Sequence, residues 1–584
     1  MEPDQRSKYT PWLLAGILLL TFLVYFPSLQ NGFTNWDDNE QILANEDVHS
    51  LSFAATGRIF TSFYVGMYQP ATTQLYAVFY SIFGADATAF HSLSLALHLL
   101  NVLLVFILLR SFLKREAPAL IAAALFALNP LQTESVAWVS ATSNLLYACF
   151  YLGGLAVYLK YIRSGNMRYL IFSFLLFIMS LLSKPAAVTF PVVILLADLY
   201  FRRRINFRLA LEKLPFFILS LVIGILIIYA REDAGHIIDM SERFGWGGRV
   251  LMVFYALAFY ISRLFAPVGL SAFHPYPAGG LTAEFYIAPI VPLMLIFLVF
   301  RLRGEQKRQV TAGLIFFLVS IAVLLDIIPV GVQLVKERYV YLPSVGVYLA
   351  FSVLMVFLFH HRKRYVNIVI TICFMSVFSL VTLSRAATWE NSMSLWNDVL
   401  EQYPGASAPL INRGNTWQEL GNYRNAVDDY TSALITEPAA ADAYLNRGLA
   451  FYRLGEPERA LADLDRAISL GLEDAEAYNI RGLTRASGGM IGMAIDDFTR
   501  ALELDPAHED ARVNLALMHA NAGRYSLALD KLDEAVRLNA SFARAYYWRG
   551  MLKLQMDLQD EACIDLRRAV SLGWPAAEIP DLCR

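Results

Sequence analysis

Two adjacent carboxylates, Asp37 and Asp38, stand beside Trp36 in the run Asn35-Trp36-Asp37-Asp38-Asn39-Glu40, just after the first apolar stretch of the chain. One acid of such a pair can take the proton from an attacking hydroxyl while its neighbour holds the acceptor or a cation. A solvated loop that only avoids positive charge would read the same way, so the company the pair keeps decides its meaning. Lys336-Glu337-Arg338-Tyr339-Val340-Tyr341-Leu342-Pro343-Ser344 sets two cations and two phenols before another apolar run. Arginine offers phosphate a planar fork and lysine a point charge. Pro130-Leu131-Gln132-Thr133-Glu134-Ser135-Val136-Ala137-Trp138 adds the carboxylate Glu134, and Ser271-Ala272-Phe273-His274-Pro275-Tyr276-Pro277 a rigid aromatic turn with His274 and Tyr276. Lys184 falls between two apolar runs, where a cation needs a partner. Cations, acids and aromatic rings on one face suit a donor linked through phosphate to a lipid tail.

A membrane domain must position these groups. The 584 residues are 57% hydrophobic and 17% charged, with a mean hydropathy of +0.46, against soluble norms of roughly 45–50% and 25%. A net charge of −2 argues against a nucleic-acid partner. Basic clusters at Arg6/Lys8, Arg110/Lys114/Arg115, Lys160/Arg163/Arg168, Arg202–Arg204, Arg301/Arg303/Lys307/Arg308 and Arg362–Arg364 mark cytoplasmic loops. Between them lie about eleven runs long enough to span, near 11–29, 88–110, 118–137, 142–160, 169–184, 186–201, 213–230, 285–301, 309–328, 342–360 and 365–384. The first reads as a retained anchor, because no small-residue cleavage site follows it. The stretch 249–266 is read as interfacial or re-entrant, since a further crossing would reverse every later loop. An odd number of spans from a cytoplasmic N-terminus puts the C-terminal part in the periplasm, or in the endoplasmic reticulum lumen of a eukaryote.

That part carries Ala426, Ala460, Ala494, Ala528 and Ala562, 34 residues apart, the tetratricopeptide (TPR) period of a helix–turn–helix solenoid. The organisation expected is all-α: a membrane domain over 1–387 with a catalytic first outer loop at 30–87, a linker helix within 388–406, about five repeats over 407–576, and a tail at 577–584. Asn412, Asn446 and Asn514 share one register position and are candidates to bind an extended acceptor peptide, while Arg413, Arg447, Arg481 and Arg549 read as a solvated stripe. Cys563 and Cys583 can pair in an oxidising compartment.

The chain resembles the transmembrane-and-TPR O-mannosyltransferases and their bacterial relatives, of the GT-C glycosyltransferase class. The resemblance rests on Trp36-Asp37-Asp38, Thr133–Trp138, Leu182-Ser183-Lys184, His274-Pro275-Tyr276-Pro277, Glu337–Ser344 and the repeats. It implies a GT-C-like membrane fold, a polyprenyl-phosphate sugar donor, and inverting transfer to Ser or Thr of a protein acceptor. It gives Asp37 and Asp38 the catalytic role, Arg338 and Lys336, with Tyr339 and Lys184 beside them, the donor phosphate, and Trp36, Glu134, His274, Tyr276 and Tyr341 the substrate cavity. A divalent ion, Mg or Mn, is left open as a cofactor. The sequence departs from the family at Asn129, at Thr142-Ser143-Asn144 and at Pro185, where histidine, a charged pair and glutamate are common.

Two other readings compete. A non-catalytic scaffold would use the repeats to recruit envelope proteins, but one span would anchor it as well as eleven. A transporter needs polar groups at mid-membrane depth, and the spans read as apolar apart from Asp198 and Asp326 near their ends. A sugar transferase whose repeats recruit its protein acceptor explains most of the residues.

Overall fold

The computed structural model describes residues 8–233, 241–277, 279–325, 331–359 and 364–583, and it divides into two units, Met1–Gln402 and Tyr403–Arg584. Arg6, Asp326, Arg362, Lys363 and Arg584 lie outside the described residues. The only strands among these residues are His274–Pro275 and Gln333–Val335, paired antiparallel.

In the first unit, seven helices among the described residues are long and apolar enough to cross a membrane. The run expected at 118–137 is a bent pair, Glu116–Leu128 and Pro130–Ala137, at 54°. The runs at 169–184, 186–201 and 342–360 correspond to the apolar helices Met167–Ser183, Pro185–Tyr200 and Ser344–Leu358, each of 17 residues or fewer. The run at 309–328 begins earlier, as Gly304–Ala322, with charged first turns. Prolines account for most of these breaks. Pro130, Pro185 and Pro343 each interrupt a helix next to a segment bearing Glu134, Lys184 or Arg338, because proline lacks the N–H that would continue the ladder. Irregular backbone at membrane depth survives only where protein groups satisfy it, so these breaks build the site.

The stretch read as interfacial is part of the helix Ser241–Arg263, whose apolar portion Phe244–Arg263 would be long enough to cross. By length and composition it is one of those seven helices. Phe244, Leu251 and Met252 pack with Tyr276, Leu281 and Phe285, and Tyr260 near the other end bonds the Lys336 carbonyl at 3.0 Å. Both ends therefore pack against loop segments. Asp198 accepts from Tyr158 (2.6 Å) and pairs with Lys213 (2.9 Å) and Arg203 (3.0 Å). Tyr158 lies about 21 Å along its helix from Asn144 at 1.5 Å per residue.

In the second unit, ten helices form five hairpins, from Ser407–Glu419 with Tyr423–Thr436 to Ala543–Gln555 with Gln559–Ser571. A Cβ added at Gly482 would lie 2.7 Å from the Phe498 ring, so the two helices of that hairpin meet only because the side chain is missing. The arginine stripe is not solvated. Arg413, Arg447, Arg481 and Arg549 reach across their own hairpins to Asp429, Asp463, Asp497 and Asp565, at 2.5–2.7 Å. In the fourth repeat both partners change together, to Leu515 and Lys531, so neither charge is stranded in the half-buried joint.

Cys563 and Cys583 are bonded, with Cα atoms 4.8 Å apart, and fasten the tail to the last helix. Their sequence separation of 20 residues predicts a loop-closure contribution of about 3 kcal/mol. Cys563→Ser should lower the denaturant midpoint of the repeat unit accordingly. Equal midpoints with and without reductant would show that the bond adds nothing.

Candidate active site

The first helix ends at Tyr25, and the turn Phe26–Gln30 delivers the chain to a loop that Asp38 folds back on itself. One carboxylate oxygen of Asp38 accepts from the Thr34 N–H (2.8 Å) and hydroxyl (3.1 Å). The other accepts from the Ser140 N–H (2.9 Å) and the Ser140 hydroxyl. With four donors and 1% exposure, Asp38 is wholly used as an acceptor. These bonds make it an anchor of the loop. Asp37 stays partly open. Burial pushes its pKa up to about 7, Arg338 pulls it down, and Asp38, Glu40 and Glu134 add to the rise. An acid poised there is matched to proton transfer near neutral pH.

Three cations gather on one phenol. Lys336 Nζ lies 5.0 Å, Lys184 Nζ 5.3 Å and the Arg338 guanidinium 5.4 Å from the centre of the Tyr339 ring. Lys184 also donates to Asn144 Oδ1 at 2.5 Å. Glu134 engages Arg338 twice, through the guanidinium and through the backbone N–H at 2.6 Å. The guanidinium lies 5.0 Å from the centre of the Trp138 ring. Arg338 is thus matched by its own carboxylate.

Aromatic rings close the other side. Trp36 packs on Trp396 (4.9 Å between centroids), Trp138 (5.5 Å) and Phe273 (6.2 Å), while Trp138 stacks on Trp389 at 5.5 Å. His274 stands behind, with its Nε2 3.3 Å from Glu337 Oε1, which also accepts the Ser271 N–H at 2.8 Å. The loops that carry Asp37, Glu134, Lys184, His274 and Arg338 therefore form one polar, aromatic-walled site.

A family model described as dolichyl-phosphate-mannose-protein mannosyltransferase matches residues 69–229, and tetratricopeptide-repeat models match 412–479, 445–489, 491–541 and 543–572. Similar proteins include protein O-mannosyl-transferase TMTC1 of Homo sapiens, 22% identical over 72% of this chain and 54% of that protein. Another is protein O-mannosyl-transferase F38B6.6 of Caenorhabditis elegans, 25% identical over 74% and 64%. Together these matches support a transmembrane-TPR O-mannosyltransferase family for the chain. Protein O-mannosyl-transferase Tmtc1 of Drosophila melanogaster is 29% identical over 30% of this chain and 21% of that protein. The chain spans less than two thirds of each of these three relatives. A crystal structure of MamA, 26% identical over 27% of this chain and 93% of that one, has a TM-score of 0.26.

Not every expected residue reaches the site. Tyr341 is fully buried, its hydroxyl 2.8 Å from His98 Nδ1 and 3.2 Å from Asn101 Nδ2. The turn Glu337–Val340 points it into the helix bundle, so it is corrected from cavity wall to core. Tyr276 is likewise corrected: it packs with Met252 and Phe285. In the repeats, Asn446 donates to Asn415 Oδ1 (3.1 Å), and Asn514, 2% exposed, donates to Asn479 Oδ1 (2.8 Å) and accepts from Arg544 (2.7 Å). These two asparagines knit neighbouring repeats together instead of facing a peptide, and Asn412 is half-buried and partnered as well. The expectation of uniformly apolar spans also fails, because His91, His98 and Asn101 are buried within Ala87–Leu113. Ser140, Asn144, Ser392 and Trp396 were missed. Two tryptophans, Trp389 and Trp396, close to the last apolar run were the one signal that could have exposed the linker's part.

Proposed function

We propose that this protein transfers a single hexose, such as mannose, from a polyprenyl-phosphate donor to Ser or Thr hydroxyls of a protein acceptor, with inversion. One observation carries the reading: an acid with a near-neutral pKa shares a site with three cations gathered on one ring. The carboxylate of Asp37 takes the acceptor's hydroxyl proton as that oxygen attacks the anomeric carbon. The bond from that carbon to the phosphate oxygen breaks on the opposite face, and the polyprenyl phosphate departs with the electron pair. Lys184 and Lys336 stabilise the charge that develops there, an electrostatic contribution that outweighs most others in such sites. Arg338 holds the frame with Glu134. Trp36 offers a flat apolar face to the sugar ring.

A scaffold has no need for these distant residues to meet, and their convergence supports the transferase. The Mg or Mn ion fits the donor set poorly: Asp38 is taken by four donors and Glu134 by Arg338. Among the described residues, no three of His, Cys, Asp and Glu gather as metal ligands, so no step is routed through a metal. The repeats recruit the acceptor, the default role of a solenoid surface, and lie on the outer, oxidising side, where the Cys563–Cys583 bond persists.

The test is purified full-length protein in detergent with polyprenyl-phosphate mannose and Ser/Thr peptides. Peptide gaining one hexose, in amounts that follow enzyme and donor, is expected. No product from mannose, glucose or N-acetylglucosamine donors alike would end the proposal.

A further inference from the structure

We propose that the linker helix Ser392–Gln402 is part of the catalytic centre, with Ser392 and Trp396 as positioning residues that hold the Asp37 loop. The inference rests on the transferase reading above. Four hydrogen bonds join this loop to the end of the last apolar helix and to the segment that follows it. Asn31 Nδ2 donates to the Ala386 carbonyl (3.2 Å) and the Gly32 N–H to the Glu390 carbonyl (2.8 Å). The Asn35 N–H donates to Ser392 Oγ (2.9 Å), and the Trp396 indole N–H to Asn35 Oδ1 (2.7 Å). Asn35 is thus gripped at its backbone and its side chain, two residues before Asp37. On the other side, Asp38 is fixed by Thr34 and Ser140. Asp37 hangs between two clamps, one of them supplied by the linker.

The linker is itself immobilised. Trp396 is fully buried, Arg385 pairs with Asp398 at 2.7 Å, and Gln402 Nε2 donates to the Leu270 carbonyl at 2.7 Å. None of the four bonds brings a charge to Asp37, whose charged neighbours Arg338, Asp38, Glu40 and Glu134 all come from other segments. The linker's contribution is therefore geometric, and its loss should slow the chemical step more than it weakens donor binding.

Full-length protein in detergent provides the test, with Trp396→Phe, which keeps a ring and removes the N–H, and Ser392→Ala. Amide exchange across residues 31–39 should accelerate in both. The kcat for transfer should fall between about 10- and 100-fold, the scale of a small misplacement of a reacting group, with donor KM unchanged. Asn35→Ala removes the Trp396 bond from the loop side and should reproduce the Trp396→Phe result, which guards against a variant that merely misfolds. Unchanged exchange in all three variants would overturn the proposal, as would raised donor KM with kcat preserved. A wild type without transfer activity would remove the transferase reading, and faster loop exchange in the variants would still establish the clamp.

Discussion

Asp37→Asn should reduce sugar transfer by about 10²- to 10⁴-fold, the range that one positioned proton acceptor supplies. The amide has nearly the shape of the carboxylate, so Trp36 and its neighbours keep their packing while the base disappears. Asp38 cannot substitute, because four donors occupy its oxygens. Single-turnover transfer at matched protein levels is the measurement, and undiminished transfer would remove Asp37 as the base. The pH dependence gives an independent reading. The base must be ionised, so transfer should rise through about pH 7 and level off above it, following the raised pKa of Asp37. The stability effect has the opposite sense. Between the ordinary value of 3.8 and about 7, the folded protein holds a proton that the unfolded chain has released. Stability from this group therefore declines as pH rises through that window, and in Asp37→Asn the decline should vanish along with the rising limb of activity.

Glu134→Ala should cost about 3–5 kcal/mol of stability, the scale for stranding one member of a buried ion pair. Glu134 is 2% exposed and takes both the Arg338 guanidinium and its N–H. Without it, the guanidinium keeps the Trp138 and Tyr339 faces but loses its counter-charge in a poorly solvated place. Pairing the change with Arg338→Met should recover most of that loss, since removing both charges is far cheaper than removing one. Activity should stay low in the double variant, because the turn that aims Lys336 and Tyr339 is set by the same contact. Denaturant unfolding in detergent checks both arms. A single variant as stable as wild type would mean that the pair is solvated and not structural.

The fold was legible in broad outline because its signals are local. A 34-residue spacing of small residues and apolar runs of spanning length depend on neighbours a few positions away. What failed was the continuity of the run at 118–137, which is a bent pair of helices. Pro130 stops a helix that an apolar count runs through, and its effect depends on which partners satisfy the freed backbone. The arginine stripe failed for a related reason: a half-buried guanidinium and a solvated one look alike until the facing aspartate sixteen residues later is seen to meet it.

Residue type and order alone were enough to name the chemistry, an acid, several cations and tryptophans in loops beside lipid, and to place the repeats after it. Division of labour between Asp37 and Asp38 came only from the assembled chain. The two are equivalent as neighbours, and Ser140, from a distant loop, makes one an anchor and leaves the other its proton. In the same way Glu134 claims Arg338, and Trp396 reaches back to Asn35. A side chain's burial and its competing partners set its ionisation and freedom, and both are supplied by segments hundreds of positions away.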